Sequence, residues 1–175
     1  MKLAKTTLCA LTMILAMFST LASAQKVKSD YDHSYKLAGL RTFAFAPLSE
    51  KDPLSARPDV ANKIKSDLKS QLEKIGLQED DQQPNFLVSY SASKQTYTTS
   101  YSTGASAWTA GSQVWNTEYT EGTLVVDFLD PATRAPFWRG TATQTVYAGT
   151  LQKYVPKGVE KLVDAFQKDL GEKER

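Results

Sequence analysis

Reactive side chains are scarce in this sequence. Cys9 is the one cysteine and His33 the one histidine in 175 residues. Cys9 falls inside an N-terminal apolar run, so the chain after that run has no thiol for a disulfide, a thiolate nucleophile or a Cys/His zinc site. The GxSxG elbow, HExxH, phosphate-cradling glycine loops and calcium loops are absent too. No metal or cofactor is expected. An excess of one charge is also lacking. Lys and Arg number 21 against 19 Asp and Glu, and Lys2 and Lys5 of the apolar leader account for the difference. No broad cationic field remains to draw in nucleic acid or anionic lipid. Beyond the first run, no apolar stretch approaches the roughly 20 residues of a membrane-spanning helix.

The first run reads as a secretory leader. Lys2 and Lys5 supply the basic start, "LCALTMILAMFSTL" the apolar middle, and "ASA" (Ala22, Ser23, Ala24) the small residues of a cleavage site. Cleavage before Gln25 is expected to leave residues 25–175, exported to the periplasm or beyond. Lipid attachment needs cysteine at the cleavage point, where Gln25 stands, so an anchor is not expected. About 150 residues are enough for one domain held by its core alone.

Hydrophobic periodicity gives the rest. A short polar strand begins at Val27, and "RTFAFAPL" forms a second, with Phe43 and Phe45 on one face and Pro47 ending it. In "RPDVANKIKSDLKSQLEKIGL", Val60, Ile64, Leu68, Leu72 and Ile75 make one apolar helical stripe, opened by Pro58 and stopped by Gly76. "EDDQQPN" is a polar loop and "FLVSYSAS" a strand. Residues 94–119 are dense in Thr, Ser, Tyr and Gly; their middle reads as a loop whose flanks extend the neighbouring strands as a long hairpin. A second stripe, Val155, Val159, Leu162, Val163, Phe166 and Leu170, precedes the charged tail "GEKER" of residues 171–175. The order is β-β-α-β-β-β-β-α. Two helices with one stripe each cannot cover both faces of a large sheet. The expected class is therefore α+β: a two-layer sandwich, mostly antiparallel, with two helices on one face.

The stretch "EGTLVVDFLDPATRAPFWRGTATQTV" has the clearest register. With its turn centred on Thr133, Phe128 faces Trp138, Val126 faces Gly140 and Leu124 faces Ala142. On this apolar face the small residues leave room for a helix above. The other face sets Asp127 against Arg139, between Leu129/Phe137 and Val125/Thr141. Such an opposite-charge pair contributes about 0.2–1 kcal/mol and helps fix register.

Those residues carry a resemblance as well. "SDYDHSYKLAGLRTFAF", "PNFLVSY" and "EGTLVVDFLDPATRAPFWRGTA" resemble three motif blocks of a bacterial envelope family, domain of unknown function family 4136, many of whose members are regarded as lipoproteins. The likeness runs from about Ser29 to about Leu170. It implies a compact α+β domain on the periplasmic side of the envelope, with no catalytic residues to carry over. The motif positions Asp30, Tyr31, Asp32, Thr42, Asp127, Trp138, Arg139 and Gly140 are read as structural. This chain departs from the family pattern in having no cysteine at the cleavage point.

For recognition, the aromatic middle is the candidate. Tyr97 and Tyr101 share a face in an extended strand, and Trp108 and Trp115 flank a Gly/Ser loop; exposed rings of this kind stack on sugars or anchor proteins. The competing reading is cross-strand packing. The carboxylate groupings Asp80–Asp81 and Glu118/Glu121 read as solvated loop or strand edge. The expectation is a non-catalytic interaction domain meeting an envelope protein through sheet edge and aromatic loop. The alternative is a binder of a small ligand, lipid or glycan in a pocket between helices and sheet. A hydrolase is the third and weakest reading, having no nucleophile or base to organise.

Overall fold

The computed structural model describes residues 25–103, 113–146 and 151–172. The leader with Cys9, the Ala22, Ser23, Ala24 cleavage motif, Trp108 and the last residues of the charged tail lie outside them. The elements are β1 (Lys26–Tyr31), β2 (Thr42–Phe45), a 3-10 turn (Pro53–Ala56), α1 (Pro58–Lys74), β3 (Gln78–Glu79), β4 (Phe86–Thr103), β5 (Gln113–Leu129), β6 (Pro136–Val146) and α2 (Leu151–Glu172).

Six strands form one sheet in the order β1-β6-β5-β4-β2-β3. β2 runs parallel to both β3 and β4, and the other neighbours are antiparallel. The chain is thus an α+β fold with a mostly antiparallel sheet and its helices packed on one side. The parallel pairing follows from α1, which carries the chain from the end of β2 back to β3, ahead of β4.

α1 begins at Pro58, where the missing N–H costs nothing. It ends where Gly76 takes φ +92°. There Gly76 N–H donates to Glu73 O (3.0 Å) and Leu77 N–H to Leu72 O (3.1 Å), a Schellman closure. Ile64, Leu68 and Leu72 are buried along its stripe, while Val60 and Ile75 lie at the margin. α2 starts upstream of Pro156, which sits inside the helix but near its first turn. Its stripe buries Val159, Leu162, Val163 and Phe166. Phe166 meets Phe128 edge-on, with ring centroids 4.5 Å apart, and Trp138 at 5.4 Å, locking α2 onto the β5–β6 hairpin.

Gly140 explains how closely α2 sits. A Cβ there would fall 2.4 Å from Trp138 Cη2 and 2.7 Å from Leu162 Cδ2. The indole N–H of Trp138 donates to Asp169 Oδ2 at 2.8 Å, so the buried ring leaves no polar group unmet.

Two sequence expectations need correction. The hairpin register holds for Phe128–Trp138, Asp127–Arg139, Val126–Gly140, Val125–Thr141 and Leu124–Ala142, but Leu129 faces Pro136, not Phe137. A bulge between Phe128 and Leu129 inserts the extra residue. It lets consecutive residues, Phe137 and Trp138, both become buried, and Tyr35 stacks flat on Phe137 at 4.0 Å. Next, "EDDQQPN" is not wholly loop: Glu79 lies in β3, and Thr42–Gln78 and Phe43–Glu79 pair beside β2. At the other end of the chain, α2 runs through Gly171 to Glu172, the first two residues of the charged tail. The serine- and threonine-rich middle adds no strand of its own; its flanks lengthen β4 and β5, which pair continuously from Leu87–Leu129 to Thr103–Gln113.

Candidate functional site

Local hydrogen bonding settles the chain before any site is built. Asp32 Oδ1 accepts from Ser34 N–H (2.8 Å) and Ser34 Oγ (2.7 Å), and Asp32 N–H donates to Phe137 O at 2.8 Å. This turn delivers Tyr35 to Phe137. Thr42 is one half of a clasp: its hydroxyl donates to Gln83 O (3.0 Å) and accepts from Asn85 N–H (3.1 Å). Asn85 Oδ1 in turn accepts from Arg41 and Thr42 N–H at 2.8 and 3.0 Å. Asp130 Oδ1 accepts from Ala132 N–H, Thr133 N–H and the Thr133 hydroxyl, closing the hairpin turn in which Arg134 takes φ 60°. Those bonds hold the Asp130 carboxyl below the usual carboxylate range.

Much of the family motif converges on one corner of the sheet. Asp127 accepts two bonds from Arg139, at 2.6 and 2.9 Å, and this pairing raises the already high Arg139 pKa. Asp30 on β1 is the register partner of Arg139 on its other side, giving a carboxylate–guanidinium–carboxylate row across β5, β6 and β1. In the adjacent row Tyr31 pairs with Trp138, and Gly140 follows beside Ser29. Thr42 stands apart, near the opposite edge of the sheet.

The aromatic candidates lie elsewhere. Tyr97 and Tyr119 are cross-strand partners with rings stacked at 5.2 Å. Tyr101 and Trp115 are register partners farther along the same ribbon. Glu118 pairs with Thr98, whereas Glu121 pairs with Gln95 and Thr145; by strand alternation these two acids point to opposite faces. Asp80 turns its Oδ1 to Gln82 and Gln83 N–H, so Asp80 and Asp81 form no cleft. Among the described residues, no group of three or more potential metal ligands is found.

The sequence leads one to expect a sheet edge and a pocket between helices and sheet, and the structure shows which residues form them. The first is an open strand edge. β2 covers β4 only from Phe86 to Val88, where Ala46 N–H donates to Val88 O at 2.9 Å. The carbonyl of Val88 thus points away from β5. Because backbone groups alternate sides along a strand and the β4–β5 register is unbroken, the N–H and C=O of Thr96, Thr98 and Ser100 also point away from β5. No strand among the described residues receives them. On the far side, among the described residues, β6 accompanies β5 as far as Thr120–Val146. Residues 97–103 and 113–119 therefore form a two-stranded arm with no further strand beside it among the described residues.

The second feature is a cleft of about 230 Å³ at the base of that arm, between the N-terminal parts of α1 and α2 and the sheet. Its floor includes the buried Leu54, Ile64, Leu124 and Ala142; its rim includes the exposed Arg57 and Lys94. Six separate stretches of chain contribute to the lining, which is why no linear motif announced it. Gly158 of α2 lies in the wall, where a Cβ would come 2.6 Å from Gln25 Nε2.

Among the described residues, no helix is long and apolar enough to cross a membrane. No curated protein sequence matches the chain. Solved structures share the fold. A PDZ domain protein from Parabacteroides distasonis is 13% identical with a TM-score of 0.58; the match takes in 89% of this chain but only 39% of that one. The PelC dodecamer from Paraburkholderia phytofirmans is 13% identical with a TM-score of 0.52, over 82% of this chain and 98% of that one. At such identity the likeness is one of fold. The motif residues clustered at the β5–β6 corner agree with the sequence match that does assign a family: over residues 27–166 the chain fits, and belongs to, the Domain of unknown function (DUF4136) family.

Proposed function

We propose that this protein is a non-catalytic interaction domain of the bacterial envelope, exported without a lipid anchor, that takes up an extended segment of an envelope protein along the outer edge of β4. The carrying observation is the run of outward-facing backbone groups at Thr96, Thr98 and Ser100, beside which no strand lies among the described residues. Strand edges of this kind are usually shortened, charged or interrupted by proline. Here residues 95–103, "QTYTTSYST", contain no charge, proline or glycine. Main-chain hydrogen bonds would supply affinity, and the side chains alternating between the two faces would supply selection.

A non-catalytic role is supported by how the acids are used. Asp32, Asp80 and Asp130 close turns, Asp127 holds Arg139, and Asp169 holds the Trp138 indole. Each is engaged in holding the fold. The PelC structure of the same fold is a dodecamer, which fits a domain of this architecture serving as a building block of an assembly.

Photo-cross-linking in intact envelopes tests the proposal. A cross-linker placed at Thr98 should trap one discrete protein, and the adduct should vanish when Thr96→Pro removes an outward donor. The same cross-linker at Ser66, exposed on α1, should not trap it. Equal capture from Ser66, or an adduct indifferent to Thr96→Pro, would contradict strand addition.

A further inference from the structure

The geometry points to a second, independent site: the cleft between helices and sheet as a receptor for a single-chain amphiphile with an anionic head group. Two observations converge on it. The volume, about 230 Å³, exceeds the roughly 150 Å³ of an apolar cavity that stays dry and takes up benzene. At about 30 Å³ per water-sized group it holds roughly eight such groups. The floor is hydrocarbon, formed by Leu54, Ile64, Leu124 and Ala142, so it suits methylenes and offers water nothing to bond.

The rim supplies the sign of the head group. Arg57 directs Nε and Nη2 onto Asp59, at 3.2 and 3.1 Å, and so is largely neutralised. Lys94 has no ion-pair partner among the described residues. It extends from β4 at the mouth, opposite Gly122, and is exposed. A carboxylate or phosphate whose chain enters the cleft would meet this ammonium. An apolar floor and an unpaired cation at its mouth thus select the same ligand: a greasy chain in the floor and an anion at Lys94.

Lauroyl lysophosphatidylglycerol below its micelle concentration is a suitable probe, with binding to the leader-free protein followed by calorimetry and native mass spectrometry. One molecule should bind per chain. Lys94→Glu, a surface change, should weaken binding at least tenfold while leaving the unliganded unfolding midpoint unchanged. Ala92→Leu, which places bulk in the cleft wall, should weaken it comparably. Glycerol 3-phosphate, which has the head without the chain, and the zwitterionic lauroyl lysophosphatidylcholine should each bind at least tenfold more weakly. The proposal is overturned by no binding of the anionic probe, by equal binding to Lys94→Glu, or by equal affinity for the choline analogue. If Ala92→Leu unfolds the protein, the Lys94→Glu and head-group comparisons still decide it.

Discussion

Gly140 shows how one missing side chain sets the distance between two layers. The position it leaves empty is filled from both sides, by the Trp138 ring and by Leu162 of α2. Gly140→Ala should therefore cost about 1–3 kcal/mol, the usual penalty for overpacking a core, measured as a lower urea midpoint. Adding Leu162→Ala should return part of that loss, since it removes one of the two clashing groups; fully additive losses would contradict the packing described. The Asp127–Arg139 pair is a different case. Arg139 is 60% exposed, and an exposed pair contributes little. Asp127→Ala should lower stability by no more than about 1 kcal/mol. A larger loss would mean that the row formed with Asp30 is worth more than its register suggests. The sequence showed both faces of this hairpin well, since alternation about a turn centred on Thr133 pairs Phe128 with Trp138 and Asp127 with Arg139. Partnerships such as Trp138 with Asp169 were invisible, because nothing in either segment names the other.

Among the elements, the helices were the most legible. Their stripes, Pro58 and the Gly76 stop all carry a local physical cause, and each appears where periodicity puts it. β3 escaped notice because a two-residue strand has no period. Phe137 was misplaced because a bulge shifts register without a local signature. The turn closing the β5–β6 hairpin makes a further prediction. Its Asp130 carboxyl is held below the ordinary value of 3.8 by the Thr133 and Ala132 bonds, so its stabilising effect is full above that value and fades as pH falls through the lowered one. Tyr35 behaves oppositely. Burial first, and then the nearby Asp130 carboxylate, raises its pKa above 10.0, so the folded state keeps the proton and loses stability as pH climbs through the raised value. Asp130→Asn should flatten the acid limb of the stability profile and Tyr35→Phe the alkaline limb, both read from urea midpoints across pH. Unchanged limbs would show that neither group is linked to folding.

At the scale of the molecule, the chain divides into a packed sandwich and an arm that leaves it. The sandwich follows from pattern: two striped helices over one alternating sheet. The arm follows from what the pattern omits, since residues 97–103 and 113–119 keep the backbone ladder but have no flanking strand among the described residues. Isolated two-stranded ribbons are marginal in water, so the arm gains from a partner along its free edge, and this is the physical basis of the proposed role. The direct measurement is amide hydrogen exchange resolved by residue along β4 in the free protein. Gln95, Tyr97 and Thr99 direct their amides into the β5 ladder and should be protected. Thr96, Thr98 and Ser100 direct theirs outward and should exchange close to the unfolded rate. Alternating protection would show the edge to be open; uniform protection of both sets would mean that it is already covered, and the account would fail.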